Sequence, residues 1–269
     1  MSGKKILYIC QGISPYLAET EMHMLCRQLP QLMQEQGNEI RLFTPRYGCI
    51  NERRGQLHEV IRLSGMNLII DDNDHQLIIK VASIPGARLQ VYFIDNEDFF
   101  KRKAGAFDEN GEPFDDNDER AIFFARGVLE TVKKLRWEPD IIHCHGWMSA
   151  VAPAYIKRVF KKDPIFSKSK IVISTYEQDK FNGHLCETIQ AKLIKEDLED
   201  NDTNALELPT YENFIDYAMG HADALIQYGD ENQTLKEMAG KRNITHTLIN
   251  NNQENLTQVY NDIYEQVSI

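Results

Sequence analysis

The fold is decided by one stretch of the chain, Trp137-Glu-Pro-Asp-Ile-Ile-His-Cys-His-Gly-Trp147. A charged segment ends at Pro139, and the apolar run after it predicts a short buried strand over residues 140–144. The amphipathic segment 148–160 follows and favours a helix. Ligands of open α/β sheets bind outside the carboxyl ends of the strands, so two histidines at this strand end are placed for a site.

The N-terminal segment has the order strand, helix, strand. Apolar residues predict a strand over residues 4–10, a helix over 19–36 and a second strand over 39–44. Pro30 inside the helix predicts a kink or a break. This β-α-β order indicates a parallel sheet with a right-handed crossover.

The middle of the chain departs from this alternation. Strands are predicted at 60–63, 67–70, 76–82 and 89–94, and residues 71–75 suit a hairpin turn. A long polar loop over residues 95–117 precedes a helix from Asp118 to about Lys134, with Asn117 or Asp116 as its N-cap. The segment is therefore a β-rich insertion followed by a functional or mobile loop.

The remaining pattern alternates again. Strands are predicted at 170–174, 224–227 and 245–249, and helices at 185–199, 211–219, 232–239 and 254–267. The sequence thus predicts an α/β chain: a single Rossmann-like, doubly wound domain over residues 1–269, with a mostly parallel sheet and one β-rich insertion.

Composition excludes several classes of function. The chain has 269 residues and a net charge of -11, which opposes binding to nucleic acid and to anionic membranes. No apolar run reaches the roughly 18 residues of a membrane span. Five scattered cysteines without a Cys-x-x-Cys motif indicate reduced thiols. The first apolar run is too short for a signal peptide, so we expect a cytoplasmic protein.

Four segments resemble bacterial glycogen synthases and plant starch synthases. They are Phe43-Thr-Pro-Arg-Tyr-Gly48, Phe107-Asp-Glu-Asn-Gly-Glu-Pro-Phe-Asp-Asp-Asn-Asp-Glu-Arg120, Pro139-Asp-Ile-Ile-His-Cys-His-Gly-Trp147 with Ala152-Pro-Ala-Tyr-Ile-Lys157, and His221-Ala-Asp-Ala224. They follow the family's order between about residues 4 and 238, and their joint agreement makes the resemblance specific. Residues 239–269 would add a strand and a helix, the latter similar to the family's final helix.

The resemblance implies half of a GT-B glycosyltransferase. Such enzymes transfer glucose from a nucleotide sugar to a growing α-1,4-glucan, with retention of configuration and without a metal or other cofactor. Their N-terminal domain mainly binds the acceptor, and their C-terminal domain supplies most of the nucleotide-sugar site. The match covers the N-terminal domain, and nothing after Met238 is long enough for a second Rossmann domain.

The family's Lys-Thr-Gly-Gly-Leu loop aligns here with Ala18-Glu-Thr-Glu-Met22. Ala18 replaces the lysine, and Thr20 and Glu21 replace the two glycines. A phosphate site needs a cation and closely approaching backbone N–H groups. Side chains at 20 and 21 obstruct that approach, and the charges of Glu19 and Glu21 oppose a pyrophosphate by up to roughly 4 kcal/mol at about 4 Å. The sequence therefore predicts a degenerate donor-phosphate loop.

The resemblance also marks sugar-binding candidates. His145 matches the family's sugar-site histidine, and the alternative is a buried structural role. Tyr176 falls where the family's Thr-Ile-His-Asn segment places its histidine, and Gly146 replaces the family's aspartate. His143 and His145 share one strand face, but Cys144 points away, so we expect no metal site and a structural role for His143.

Further candidates come from the loops. Arg46 and Tyr47 follow the second strand and could contact a glucan, or Arg46 could pair with the Asp-rich loop. Asp116, with Asp115 and Asp118, could bind sugar hydroxyls, or could form a solvated loop and helix cap.

Three functions remain open from the sequence. We expect a domain without autonomous glucosyl transfer that binds α-glucan or a protein partner. The alternatives are an active or split glucosyltransferase using ADP-glucose or UDP-glucose, and a protein-interaction module. In the last case the partner, or a second copy in a homodimer, would cover the face that normally meets the second domain.

Overall fold

The computed structural model describes residues 3–181, 185–186, 188–196, 198–199, 203–250 and 255–268. The strands in this part of the chain are β1 (Lys5–Cys10), β2 (Glu39–Pro45), β3 (His58–Glu59), β4 (Met66–Ile70), β5 (Asn73–Ser83), β6 (Gln90–Asp95), β7 (Ile141–His145), β8 (Lys170–Tyr176), β9 (Ala224–Tyr228) and β10 (Thr245–Ile249). The helices are α1 (Glu21–Glu35), α2 (Glu52–Gly55), α3 (Glu97–Phe100), α4 (Asn117–Lys134), α5 (Ala152–Ala154), α6 (Ile189–Lys195), α7 (Tyr211–Met219), α8 (Gln233–Arg242) and α9 (Leu256–Ser268). No helix of the described residues is long and apolar enough to cross a membrane.

One sheet organises these elements. Its strand order is β10-β9-β8-β7-β1-β2-β6-β5-β3, with β4 paired to β5. The strands from β10 to β6 in this order are parallel, and β5 is antiparallel to its partners β6, β3 and β4. This arrangement confirms the predicted fold class, a mostly parallel α/β sheet with a β-rich insertion.

The central strand β1 lies between β2 and β7. The chain leaves β1 toward β2 and later returns through α4 to β7 on the other side. This reversal is the topological switch point where α/β proteins bind ligands. Nearly every residue of β1 and β7 is buried, which explains their continuous apolar runs.

Two predictions for the insertion meet different outcomes. The hairpin between β4 and β5 is confirmed, since Asp71 and Asp72 both have positive φ, 45° and 67°, as a two-residue type I′ turn requires. The predicted strand over 60–63 is wrong, because Leu63 N and Ser64 N both bond to Val60 O and form a turn. The strand that pairs there is the shorter β3.

Two helix predictions also need correction. Helix α1 runs unbroken through Pro30, which is buried within it, so the predicted break is wrong and the kink stays a prediction. The predicted helix over 148–160 is instead a 3-10 turn at Trp147–Ser149, the single turn α5, and a π-helical turn at Tyr155–Val159. The bond from Phe160 N to Tyr155 O, 2.8 Å, closes the π-helical turn.

Helix α9 comes from the C-terminal part of the sequence and contacts the middle strands of the sheet. It packs against α1, and its buried Tyr264 reaches the middle strands. The hydroxyl of Tyr264 lies 3.1 Å from the hydroxyl of Tyr8 and 2.7 Å from Nδ1 of His143. The tyrosine thus joins α9 to both β1 and β7.

Candidate functional site

The switch point is filled by the side chain of Gln11, the residue after β1. Its Oε1 accepts a hydrogen bond from Met148 N at 3.0 Å, which directs its Nε2 to Asp179 Oδ1 at 2.6 Å. The other oxygen of Asp179 accepts from Trp147 N at 2.9 Å. Three loops that follow β1, β7 and β8 are therefore tied together above the strand ends.

Gly146 makes this closure possible. Its φ is +81°, a region that favours glycine. A Cβ atom at this position would lie 2.8 Å from Gln11 Oε1 and 2.9 Å from Met22 Sδ. The position where the resemblance would place an aspartate thus has no room for its side chain.

The carboxyl group of Asp179 is buried beneath this closure. Burial raises its pKa to about 7, although the hydrogen bonds from Trp147 N and Gln11 oppose the rise. A carboxyl group with such a pKa exchanges its proton near neutral pH, which is a property of acid–base catalysts and also of buried structural acids.

The histidine pair lies inside the sheet. The two rings of His143 and His145 share a face, as the sequence predicts, with centroids 3.9 Å apart. His143 bonds Tyr264 and, through Nε2, Ser174 Oγ at 2.7 Å. Burial, with the neighbouring His145, holds the pKa of His143 well below its usual range, which supports a neutral structural ring.

His145 and Tyr176 form a second buried pair. Nδ1 of His145 lies 2.7 Å from the Tyr176 hydroxyl, and the two side chains are 0% and 2% exposed. The structure brings these two sugar-binding candidates together but covers both. Their contact with a sugar stays a prediction that would require the loops above them to move. Among the described residues, no group of three His, Cys, Asp or Glu side chains is placed to hold a metal.

The N-terminus of α1 is closed by its own side chains. Thr20 is the N-cap, and its Oγ1 accepts from His23 N at 3.1 Å. Nδ1 of His23 lies 2.6 Å from the carbonyl oxygen of Ala18, so this nitrogen is the donor. A Cβ at Gly12 would meet Nε2 of His23 at 2.2 Å, which shows how tightly the ring covers the loop.

The two glutamates of this loop, Glu19 and Glu21, stand on either side of the N-cap residue Thr20. Glu19 is exposed, and Glu21 lies in the first turn of α1. Burial raises the pKa of Tyr228, at the end of β9, and the charge of Glu21 adds to the rise.

An open cavity of about 390 Å³ lies beside this helix end, and we call it the Tyr47 cavity. Its lining includes Gln11, Tyr16, Ala18, His23, Tyr47 and Phe107. No Asp, Glu, Lys or Arg occurs among its described lining residues. The lining combines aromatic rings with a few hydrogen-bonding groups, which is the composition of a pocket for a neutral organic ligand.

The wall of the Tyr47 cavity depends on Gly48. A Cβ at Gly48 would lie 2.1 Å from the carbonyl oxygen of Lys101 and 2.4 Å from that of Arg102. The loop after α3 therefore packs its backbone directly on the exit of β2. Phe107 is held over the cavity by this contact and by the β-bridge that pairs it with Pro113.

Tyr47 is the sequence candidate that the structure places in the cavity. Its ring is 2% exposed, and its hydroxyl donates to the carbonyl oxygen of Gln11 at 2.9 Å. Burial raises the pKa of Tyr47 well above its usual range, so the hydroxyl stays protonated. Tyr47 thus contributes a fixed, neutral wall.

Arg46 and Asp116 lie outside that lining, each in an ion pair. Arg46 forms an ion pair with Asp95 at 2.9 Å, so it pairs with the first residue of the predicted loop. Asp116 occupies the N-cap position of α4 but makes no capping bond, and its carboxylate forms an ion pair with Arg102. The predicted cap is therefore right in position and wrong in mechanism.

The two neighbouring acids, Asp115 and Asp118, differ in burial. Asp115 is exposed. Asp118 is fully buried and pairs with Lys192 at 2.7 Å. Sugar binding by Asp116 and Arg46 stays a prediction, and it would compete with these pairs.

Sequence reasoning missed most of the side chains that build the site. Gln11 and Asp179 lie after strands that were predicted, and His23 lies in the first turn of a predicted helix. Only the tertiary contacts of the loops bring the three residues to one edge of the sheet. Arg120 was missed as well: it is fully buried, and its guanidinium lies over the rings of Tyr47 and Phe100 at 5.7 and 5.4 Å. The available signal was its position at the end of segment 107–120, which resembles the family.

Known proteins share this fold and sequence. Residues 5–244 match the starch synthase catalytic domain family. A glycogen synthase of Chlorobium limicola is 38% identical over 174 residues, 64% of this chain and 35% of the relative. Another, of Chlorobium phaeovibrioides, is 32% identical over 262 residues, 91% of this chain and 52% of the relative. The chain thus spans about half the length of such relatives, or less.

A solved structure shows the same architecture. The catalytic domain of starch synthase IV from Arabidopsis thaliana, bound to ADP and acarbose, superposes with a TM-score of 0.75 at 17% identity. The superposition covers 93% of this chain and 52% of that one, so the fold corresponds to one half of a GT-B enzyme. From the family match over residues 5–244, the chain belongs to the starch synthase catalytic domain family, as a glycogen synthase-like glycosyltransferase domain.

Proposed function

We propose that this domain binds α-glucan in the Tyr47 cavity and does not transfer glucose from a nucleotide sugar by itself. The observation that carries the proposal is the described lining of the cavity, which has aromatic rings and no Asp, Glu, Lys or Arg. A glucan is a neutral chain of hydroxyl groups with apolar ring faces, and it needs aromatic surface and a few hydrogen bonds. A nucleotide sugar brings a pyrophosphate, which needs cations and open N–H groups.

The donor side lacks what a pyrophosphate would require. Ala18 presents a methyl group where the family has a lysine, and Thr20 uses the amide of His23 for its own cap. His23 lies over the loop that would approach the phosphates. The loop is thus packed against itself rather than open to an anion.

Acceptor binding has direct support from the side chains in reach. Tyr16 and Phe107 are half-buried and offer ring faces at the cavity, where burial of one sugar face gains free energy. Gln11 and His23 supply the polar edge. The ring of Tyr16 is fixed by a hydrogen bond from its hydroxyl to Ser83 O at 3.1 Å and by the edge of Phe93, 4.9 Å between centroids.

Two calorimetric titrations of the purified chain test the proposal, one with maltoheptaose as the ligand and one with ADP-glucose. We expect maltoheptaose to bind and ADP-glucose to give no heat. The variant Phe107→Ala should weaken maltoheptaose binding by about fivefold or more, as the loss of a stacking ring predicts. Tyr228→Ala removes a half-buried ring at the same sheet edge but outside the cavity, and should leave the affinity unchanged.

Two outcomes would overturn the proposal. Glucose transfer from ADP-glucose or UDP-glucose to glycogen by this chain alone would show a working donor site. Equal loss of maltoheptaose binding in the Phe107 and Tyr228 variants would place the glucan elsewhere. Transfer that appears only after a separate nucleotide-binding domain is added would favour a split enzyme instead.

A further inference from the structure

A second groove adjoins the Tyr47 cavity and differs from it in charge. Its volume is about 760 Å³, and it shares Tyr16 and Cys49 with the Tyr47 cavity. Arg27, from α1, and Arg54, from α2, lie in its lining. We call it the arginine groove, and its volume is in the range of small-molecule sites.

The charge of the arginine groove is opposite in sign to the net charge of the chain. The protein carries a net charge of -11, yet the described lining of this groove has two arginines and no Asp or Glu. The guanidinium of Arg27 donates to the carbonyl oxygen of Pro85 at 3.3 Å and has donors to spare. Within the described part of the chain, the side chain of Arg54 has no ion-pair partner.

The nearby acids are already neutralised. Glu52, on the same helix as Arg54, pairs with Lys80 at 2.7 Å and with Arg46 at 3.4 Å. Asp95 pairs with the same two cations, at 3.0 Å to Lys80 and 2.9 Å to Arg46. The two carboxylates and the two cations therefore form ion pairs with one another. The positive charges of the groove lining remain for a ligand.

The rest of the lining suits a sugar. Tyr16 stands between the two cavities, with its ring held by Ser83 and Phe93. Burial raises the pKa of Tyr16 to about 12, and the charge of Arg27 opposes the rise, which places the guanidinium near a neutral phenol. Asn51 accepts from Arg54 N through Oδ1 at 2.9 Å and keeps its amide N–H groups for other acceptors.

We propose that the arginine groove binds a sugar that carries a phosphate monoester, with Arg27 and Arg54 holding the phosphate and Tyr16 packing on the sugar ring. Guanidinium groups form paired, charge-assisted hydrogen bonds with phosphate oxygens, and these are the strong hydrogen bonds of proteins. The amide groups of Asn51 and Gln56 lie in the same lining for the hydroxyls. This ligand is distinct from the neutral glucan of the Tyr47 cavity, so the two proposals stand or fall separately.

The test is a calorimetric titration of the full chain with glucose 1-phosphate and glucose 6-phosphate, and with glucose and inorganic phosphate as reference ligands. At least one hexose phosphate should bind with a sub-millimolar Kd, and at least tenfold more tightly than glucose or inorganic phosphate. Arg54→Gln and Arg27→Gln should each weaken that binding by about tenfold or more, as the loss of charged hydrogen bonds predicts.

Arg53→Gln is the matched control. Arg53 precedes Arg54 on α2, is exposed, and lies outside the groove lining, so the same change in net charge should alter affinity by less than about twofold. Thermal unfolding of each variant checks folding, and Arg54 is exposed, so its variant should melt with the wild type. Three results would overturn the proposal: no binding of either hexose phosphate, equal affinity for inorganic phosphate, or equal losses at Arg53 and Arg54.

Discussion

The side chain of Gln11 occupies the space that a side chain at residue 146 would need, since a Cβ on Gly146 would lie 2.8 Å from Gln11 Oε1. The two residues are adjacent because Gln11 N bonds the carbonyl oxygen of His145 at 3.0 Å, which extends the pairing of β1 with β7 by one residue. The side chain of Gln11 therefore takes the space at the strand end where the resemblance would place an aspartate side chain.

Gly146→Asp should destabilise the fold. Both the positive φ and the contacts with Gln11 and Met22 oppose a side chain, so we expect a loss of at least about 2 kcal/mol in the free energy of unfolding, measured by urea denaturation. In a Gln11→Ala background the contact with Gln11 Oε1 disappears, whereas the contacts with the Cβ of residue 11 and with Met22 Sδ, both 2.9 Å, and the backbone strain remain, so the loss should shrink by about 1 kcal/mol. An equal loss in both backgrounds would disprove the packing argument.

Asp179 should make stability depend on pH. Its pKa in the folded state, about 7, is raised above the unfolded value of about 4, so the folded state binds the proton more tightly. Its contribution is therefore present below pH 4 and is lost as pH rises to 7. Between pH 5 and 8 the wild type should lose roughly 3 kcal/mol relative to Asp179→Asn.

Urea denaturation at several pH values measures this difference. The exposed neighbour Glu177 provides the control, and Glu177→Gln should follow the wild type across the range. A constant difference between wild type and Asp179→Asn from pH 5 to 8 would contradict the prediction.

Tyr264→Phe should cost more than Tyr8→Phe, although both remove one hydroxyl from the buried core. The hydroxyl of Tyr264 meets both His143 and Tyr8, whereas the hydroxyl of Tyr8 meets Tyr264. Losing the first leaves Nδ1 of His143 buried without a partner, so we expect about 2 kcal/mol for Tyr264→Phe and about 1 kcal/mol for Tyr8→Phe. Equal costs in urea denaturation would show that the bond to His143 contributes nothing.

Gly48→Ala should damage the Tyr47 cavity. The added methyl group would collide with the backbone carbonyls of Lys101 and Arg102 and displace the loop that carries Phe107. We expect a loss of about 1–3 kcal/mol in stability, together with weaker maltoheptaose binding in the titration described above. Gly240→Ala is the control: it lies inside α8 with open space around it, and it should stabilise the fold by up to about 1 kcal/mol.

Local patterns of sequence were enough for most of the fold. The strand that carries the two histidines, the helix Tyr211–Met219 and the strand Thr245–Ile249 are correct to within one residue, because buried strands and amphipathic helices carry their periodicity in consecutive residues. The turn at Asp71 and Asp72 was predictable because Asp tolerates positive φ.

The failures have tertiary causes. Pro30 lies on the buried face of α1, and packing there keeps the helix continuous where local propensity favours a break. Asp116 was predicted to cap α4, but Arg102 competes for its carboxylate. The sequence of one segment does not show which charged side chain of another segment will form an ion pair with it.

The candidate site was predictable in location and not in composition. The histidines lie at the carboxyl end of β7, where the sequence predicts a site, yet both are covered, and the cavity nearby is built from Tyr47, His23 and Phe107 on three separate segments. Tyr47 was found because it follows a strand end. His23 lies within a predicted helix, where periodicity treats it as one more polar residue.

The hydrogen bond between Tyr8 and Tyr264 sets an order of events during synthesis. Its partners are 256 residues apart, so at roughly 5–20 residues per second the ribosome makes the second one about 13–50 s after the first. Until α9 has been made, the hydroxyl of Tyr8 and Nδ1 of His143 lack the partner that they have in the folded domain. The nascent domain therefore holds an unfinished core for most of its translation, and a stall before residue 264 would leave that core exposed.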